Sequence, residues 1–427
     1  MNKRVLIITY YWPPLAGSGV QRWLKFSKYL PDFGWEPVIF TPENPDFELK
    51  DESLLKDVSP NLEVIKFPIW EPYHLFRSLK RGKNKNASSI LENEKKSFFD
   101  QISINLRANL FVPDPRVFWV KPSVEFLVDC VKKGQFDAII STGPPHSIHL
   151  IARNVKRITG IPWIADFRDP WSNWDFNLSL PMVSWVRNKH QKLEQSILKE
   201  ANEIVTISPT FQKEFELLGN RNVQLITNGF DSLDVRNVSY IHTEKSNVFE
   251  ILYTGVIDSL RDPIPFLKAL KSVFSSNEKM VICRFVGKVS SQVLAYVQND
   301  LWLKDHVRFE GYVAHEKVMD FYQNADLLLL ILTSATNAKG NIPGKVFEYM
   351  ASGKYSLALG DPAGDTANIL SSANAGTVFY HTDLESIGNF LAQFNPNTNS
   401  PNKDEVEKYN RKALTSHLVE LLEKVTS

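Results

Sequence analysis

The stretch from Asn324 to Leu359 constrains this chain more than any other. It opens with Asn324-Ala-Asp-Leu-Leu-Leu-Leu-Ile-Leu, an apolar run that reads as a strand buried on both faces. A polar loop holding Thr333, Ser334, Asn337 and Lys339 follows. Pro343, Gly344 and Lys345 then open a short helix that carries Glu348 and ends at Gly353, and Ser356 to Leu359 starts another strand. A cation and a carboxylate therefore sit on the first turns of a helix at the carboxyl end of a strand. In open α/β sheets that is where ligands bind. The helix N-terminus and Lys345 suit a phosphate, and Glu348 suits a ribose hydroxyl pair.

The same alternation runs along the rest of the chain. Strands are predicted at Val5–Thr9, Pro37–Phe40, Leu62–Phe67, Phe136–Ser141, Ile161–Asp166, Glu203–Ser208 and Val223–Ile226, with a helix near Gln21 to Leu30. The pattern restarts with Phe249–Gly255, a helix over Leu267–Phe274, Val281–Gly287 and Val307–Gly311. Strands alternating with helical stretches imply parallel βαβ units and doubly wound sheets. At 427 residues the chain suits two such α/β domains. We expect an N-terminal domain over 1–235, a polar linker over 236–247, a C-terminal domain over 248–403 and a charged amphipathic helix over 404–427. A Lys- and Asn-rich insertion over 77–96 interrupts the first domain, flanked by Trp70, Tyr73, Phe76, Phe98 and Phe99. It reads either as a solvated insertion or as a basic lid near a phosphorylated or membrane-bound substrate.

Composition excludes some classes. The formal charge is +1, from 49 Lys+Arg against 48 Asp+Glu, which argues against a nucleic-acid partner. Cys130 and Cys283 each lie in an apolar segment and read as reduced core thiols. No apolar run approaches the ~20 residues that span a bilayer, and Met1-Asn-Lys-Arg leads straight into a strand. A cytoplasmic protein is the expectation.

Gly17-Ser-Gly19 lies between the first strand and first helix, where small residues let a ligand approach the backbone or simply make a turn. The third position of a dinucleotide fingerprint holds Arg22, and the second strand ends Phe40-Thr41-Pro42, so NAD binding is not expected. Gly143-Pro-Pro-His146 and Asp166-Phe-Arg168-Asp169-Pro-Trp171 both fall at carboxyl ends of strands and can converge on one cleft. His146 reads as a structural histidine or a contact to ligand hydroxyls. Arg168 and Asp169 read as an internal clamp or as site groups, with Trp171 an apolar wall. Gly255 and Gly287 each follow a strand, and Arg261 lies where a cation reaches a diphosphate or pairs with Asp258 or Asp262. No metal signature and no nucleophile elbow occur in the sequence.

Taken together these residues resemble a GT-B-fold glycosyltransferase of the retaining family 4 type. The resemblance rests on the Trp12-Pro-Pro and Gly17-Ser-Gly19 loop, Gly143-Pro-Pro-His146, Ala165-Asp-Phe-Arg-Asp-Pro-Trp171 and Thr227-Asn-Gly-Phe-Asp231. In the second half it rests on Tyr253-Thr-Gly255, Phe285-Val-Gly287, Phe309-Glu-Gly-Tyr312 and Pro343-Gly-Lys-Val-Phe-Glu-Tyr-Met-Ala-Ser-Gly353. It implies two Rossmann-like domains facing a cleft, with the last helix crossing back to the first. It further implies sugar transfer, with retention, from a UDP- or GDP-linked donor to a saccharide or polyprenyl-linked glycan, as in surface polysaccharide synthesis. No cofactor or metal is expected. His146, Asp169, Arg261 and Lys345 would be catalytic. Gly17, Gly19, Gly255, Gly287, Tyr312, Asn341, Gly344 and Glu348 would bind the donor, and Arg168 and Trp171 would face the acceptor. Contact with the anionic inner face of the cytoplasmic membrane is the matching expectation for a lipid-linked acceptor. Many members carry a second glutamate eight positions before Glu348, and here that position is Gly340. A nucleotide-sugar 2-epimerase of the same architecture and an inactive nucleotide-sugar-binding relative are the alternatives.

Overall fold

A computed structural model describes residues 2–46, 50–72, 104–105, 108–235, 248–276, 280–313 and 315–427. The 77–96 insertion, its flanks Tyr73, Phe76, Phe98 and Phe99, and the 236–247 linker lie outside the described residues. The chain divides into two compact units. One holds the described residues up to Thr227 together with Arg411–Ser427; the other runs from Asn228 to Asn410.

The first unit is built on a seven-stranded sheet of order β3-β2-β1-β4-β5-β6-β7. The strands are β1 (Lys3–Ile8), β2 (Trp35–Pro42), β3 (Glu63–Phe67), β4 (Ala138–Gly143), β5 (Trp163–Phe167), β6 (Glu203–Thr206) and β7 (Gln224–Leu225). Every pairing is parallel, with Val5 opposite Pro37 on one side and Ala138 on the other. All residues of β4 and β5 are buried, so the central strands are covered on both faces, polar Ser141, Thr142 and Asp166 included. The helices that matter here are α1 (Ser18–Tyr29), α2 (Val117–Lys132), α3 (Ser147–Thr159), α4 (Ser184–Glu200) and α5 (Pro209–Gly219). Beneath α1, Arg22 and Asp166 form a fully buried ion pair. Arg22 Nε and Nη2 donate to the carboxylate at 3.1 and 2.9 Å, and Trp23 Nε1 and Thr142 Oγ1 donate to it at 2.8 and 2.9 Å. The arginine that spoils a dinucleotide fingerprint is thus a core cross-link.

The C-terminal helix, Arg411–Thr426, also belongs to this unit. Leu414, Leu418 and Leu422, four residues apart, seat into the cluster that contains Val5, Ile7 and Trp23. Lys412 pairs with Asp32, Lys424 with Glu203, and Glu423 with Lys3 and the Trp35 indole.

The second unit is built on a six-stranded sheet of order β10-β9-β8-β11-β12-β13, all parallel. Its strands are β8 (Val248–Thr254), β9 (Met280–Val286), β10 (Val307–Gly311), β11 (Leu327–Ile331), β12 (Ser356–Leu359) and β13 (Gly376–Phe379). Helices α6 (Ile264–Phe274), α7 (His315–Asn324) and α8 (Lys345–Ala351) carry or support the residues discussed below. In each sheet the strand order reverses once, between β1 and β4 in the first and between β8 and β11 in the second. Ligands of open α/β sheets bind at such switch points.

Two expectations need correction, and one strand is new. The strand expected from Asn324 begins at Leu327, because Asn324 is the last residue of α7 and Ala325 N still bonds back to Phe321 O at 3.3 Å. β13 has no counterpart in the sequence reading, because four residues that include a glycine give too short an apolar signal. The C-terminal segment is two helices, not one. Phe230 N donates to Tyr409 O at 3.1 Å and Phe230 bridges Asn410, and backbone engaged in a strand-like bridge cannot continue a helix. Cys130 and Cys283 are both free and buried.

Candidate active site

At the carboxyl edge of the second sheet, three neighbouring strands end on glycines with positive φ: Gly255 at 123°, Gly287 at 135° and Gly311 at 72°. Gly255 N donates to Val286 O at 2.8 Å and Gly287 N to Gly311 O at 2.7 Å. A Cβ on Gly287 would lie 2.1 Å from the Gly255 carbonyl oxygen, so only glycine lets these turns stack.

Lys345, first residue of α8, reaches over this floor. Its Nζ donates to Thr254 O at 2.6 Å and lies 4.4 Å from the centre of the Tyr253 ring. A Cβ on Gly255 would sit 2.5 Å from that Nζ. Burial, reinforced by the nearby Arg261 charge, pulls the ammonium down to about 7 against the opposing pull of Glu348 and Asp258. Arg261 is half-exposed and pairs with Asp258 at 2.7 Å. Two cations close enough to disfavour each other are held beside a glycine floor, an arrangement that an anion relieves.

Glu348 lies one turn along α8 from Lys345. It accepts from the Tyr322 hydroxyl at 3.3 Å. Thr254 Oγ1 bonds the Tyr322 and Tyr349 hydroxyls at 3.3 and 3.0 Å, and Thr254 N donates to Tyr349 Oη at 3.0 Å. Burial pushes the Tyr322 phenol well up and the Tyr349 phenol to about 12, so both remain hydroxyl donors. One hydroxyl network therefore supports the Glu348 carboxylate from beneath and is anchored on Thr254, whose carbonyl holds Lys345. Gly344 precedes α8. The Asn341 backbone is engaged, N with Ala338 O at 3.1 Å and O with Thr366 Oγ1 at 2.9 Å. Tyr312 is exposed beside Gly311. Gly340 is buried at the end of the 3-10 turn Thr336–Gly340.

The carboxyl edge of the first sheet is organised differently. After β4 the Gly143–Pro144 and Pro144–Pro145 bonds are both cis and deliver the chain to His146 at the head of α3. The His146 ring stacks flat on Trp171, centroids 4.7 Å apart and planes within 1°. Its Nδ1 is buried without a partner. Burial, with His149, His190 and Arg168 nearby, holds His146 well below the usual histidine range and hence neutral. Trp171 is fully buried and donates Nε1 to His190 Nδ1 at 2.8 Å; its backbone N–H and that of Ser172 go to Glu194. Arg168 gives its guanidinium to Gly143 O at 3.2 Å and Pro144 O at 2.6 Å rather than to an ion pair with Asp169. It fills the space above Gly19, where a Cβ would lie 2.3 Å from Nη1. Gly17 adopts φ 115° at the start of α1. Asp169 is partly exposed, and burial raises its pKa against the opposing Arg168 charge.

Residues 249–393 match the family model described as glycosyl transferases group 1. The matched segment takes in Gly255, Arg261, Gly287, Lys345 and Glu348. Comparison with curated protein sequences gives no match. Among solved structures the chain is similar to sucrose-phosphate synthase from Thermosynechococcus elongatus, at 16% identity and TM-score 0.63 over 99% of this chain and 98% of that one. It is similar to Anabaena HepE in complex with UDP, at 14% identity and TM-score 0.64 over 99% and 100%, and to TarM, at 11% and 0.60 over 98% of each. These likenesses establish the fold, a GT-B architecture of two parallel-sheet α/β domains.

Inside the matched segment, sequence reading misses Tyr322 and Tyr349, because a tyrosine in an amphipathic helix looks like core. In the first unit it misses His149, His190 and Glu194. His149 Nδ1 lies 2.8 Å from Ser141 Oγ, and its ring stacks on Phe167. The spacing of His146 and His149, three apart at a helix start, was the one available signal.

Proposed function

We propose that the protein transfers a sugar from a nucleoside-diphosphate sugar to an acceptor hydroxyl, with retention, as a family 4 type glycosyltransferase. The observation that carries this reading is Lys345 lying over the Gly255 turn with Arg261 alongside and Glu348 one turn on, all within the segment that matches the group 1 model. HepE, a neighbour in fold, was solved with UDP and with UDP-glucose, which supports a uridine nucleotide as the first donor class to try.

In this reading the diphosphate lies against the Gly255 and Gly287 turns. Lys345 and Arg261 meet the negative charge that grows on it as the glycosidic bond breaks, the term that dominates such reactions. Glu348, held by Tyr322, takes the ribose hydroxyls. His146 is neutral and offers the sugar or acceptor a hydrogen bond rather than a charge, and Asp169 faces the acceptor hydroxyl. The acceptor is a saccharide or lipid-linked glycan, and the protein works at the inner face of an anionic membrane. No metal ion takes part in this scheme.

The test is calorimetric titration of UDP, GDP, ADP and their sugar conjugates into wild type and Glu348→Ala. Binding of one nucleoside diphosphate that is lost in the variant supports the site. Binding without turnover over a broad acceptor panel points to an inactive relative, and epimer formation without acceptor points to an epimerase.

A further inference from the structure

The first unit carries an apolar rim that the sugar-transfer chemistry does not use. Leu110 is 66% exposed, Trp185 63%, Trp70 54%, Phe118 47% and Val183 46%. Scattered exposed apolar residues mean little, but contiguous ones do. Here named contacts link them along the chain's surface. Trp70 meets Phe118 edge-on at 4.8 Å, and Phe118 meets Phe111 at 5.9 Å. Asn109, beside Leu110, donates to Pro181 O and accepts from Val183 N, each at 2.9 Å, which ties this patch to the start of α4.

The topology puts the patch on one edge. Trp70 follows the carboxyl end of β3, α4 is entered from the carboxyl end of β5, and α2 starts where it must to run back to the head of β4. The rim therefore shares the sheet edge that holds His146 and Asp169. Its charge is one-sided where Trp185 stands. Residues 176–193 hold Arg187, Lys189 and Lys192 and no acid, and Lys189 and Lys192 are exposed on the helix face of Trp185, four and seven residues on. Tryptophan beside lysine on an exposed edge is the chemistry of an interface between water and anionic headgroups.

We propose that this rim docks the protein onto an anionic lipid bilayer, an assignment that rests on the reading of a lipid-linked acceptor and gives it a surface. The aromatic and aliphatic tips enter the headgroup region, the lysines face lipid phosphates, and the edge bearing His146 and Asp169 faces the membrane plane.

The experiment is co-sedimentation of the full chain with phosphatidylcholine vesicles with and without phosphatidylglycerol. Wild type sediments with the anionic vesicles and is released by salt. Lys189→Gln with Lys192→Gln lowers the partition about 25-fold, at about fivefold per lysine. Leu110→Ser with Trp185→Ser lowers it at least about tenfold, while thermal melting is unchanged because both side chains are exposed. Wild type left in the supernatant overturns the proposal, as does equal binding to both vesicle types or sedimentation of either variant like wild type. Nucleotide titration of the same preparations separates the two readings. Vesicle binding without nucleotide binding removes the transferase, whereas intact nucleotide binding without vesicle binding removes only the docking surface.

Discussion

Both sheets hold a cation over a glycine at their carboxyl edge, and the two are held in opposite ways. Above Gly19, Arg168 is buried and fixed by the carbonyls of Gly143 and Pro144. Above Gly255, Lys345 is partly exposed and held by one close carbonyl, with its charge disfavoured by burial and by Arg261. The first cation has become a structural part, with its hydrogen bonds spent on the protein. In the proposed function the second is the one that meets an outside partner, the donor diphosphate. A glycine loop after a strand therefore does not by itself mark a ligand site; what occupies the space above it decides.

The sharpest way to break this contrast is at the structural end. Asp166→Ala strands the buried Arg22 guanidinium and should cost about 3–5 kcal/mol, read as a drop in the unfolding midpoint. Unaltered stability would remove the claim that the first edge is a locked assembly. Next in size, Lys345→Ala and Glu348→Ala should each lower kcat/KM for transfer at least ~100-fold with little change in melting temperature. Near-normal turnover in both would end the assignment of α8.

The two glycines then give a direct exchange. Gly19→Ala should displace Arg168 and destabilise the fold by about 1–3 kcal/mol while nucleotide affinity holds. Gly255→Ala should push the Lys345 ammonium aside and weaken nucleotide binding about tenfold. If both variants lose stability and neither loses affinity, the two edges are alike and the comparison fails.

The smallest effect is a pH dependence. Burial lowers Lys345 to about 7, so the ammonium is charged below that pH and neutral above it. Only the charged form attracts a diphosphate. Affinity for a nucleotide sugar should thus be full on the acid side and fall about threefold between pH 6.5 and 7.5. Calorimetry across that range checks it, and Lys345→Arg should flatten the profile, since arginine keeps its charge.

The sequence made the central strands of the second sheet legible because they are buried on both faces and leave unbroken apolar runs, as in Leu327–Ile331. It made Gly255 and Gly287 legible as candidates because each directly follows a strand, and Lys345 and Glu348 because they fall on the first turns of the helix that comes after one. What it hid depends on partners far along the chain. Arg168 above Gly19 and Arg22 beneath Asp166 are each separated by more than a hundred residues, and no local pattern announces them. Nor does periodicity reveal the break after α-helical residue Glu407, which exists because Tyr409 and Asn410 bond to Phe230.

That break has a consequence for how the protein is made. The helix Arg411–Thr426 completes the core of the first unit, yet it is translated only after the whole of Asn228–Asn410. A nascent chain can finish its second unit while the first still waits, with the seats for Leu414, Leu418 and Leu422 open beside Val5 and Trp23. Premature termination near residue 410 would then spoil the beginning of the protein rather than its end.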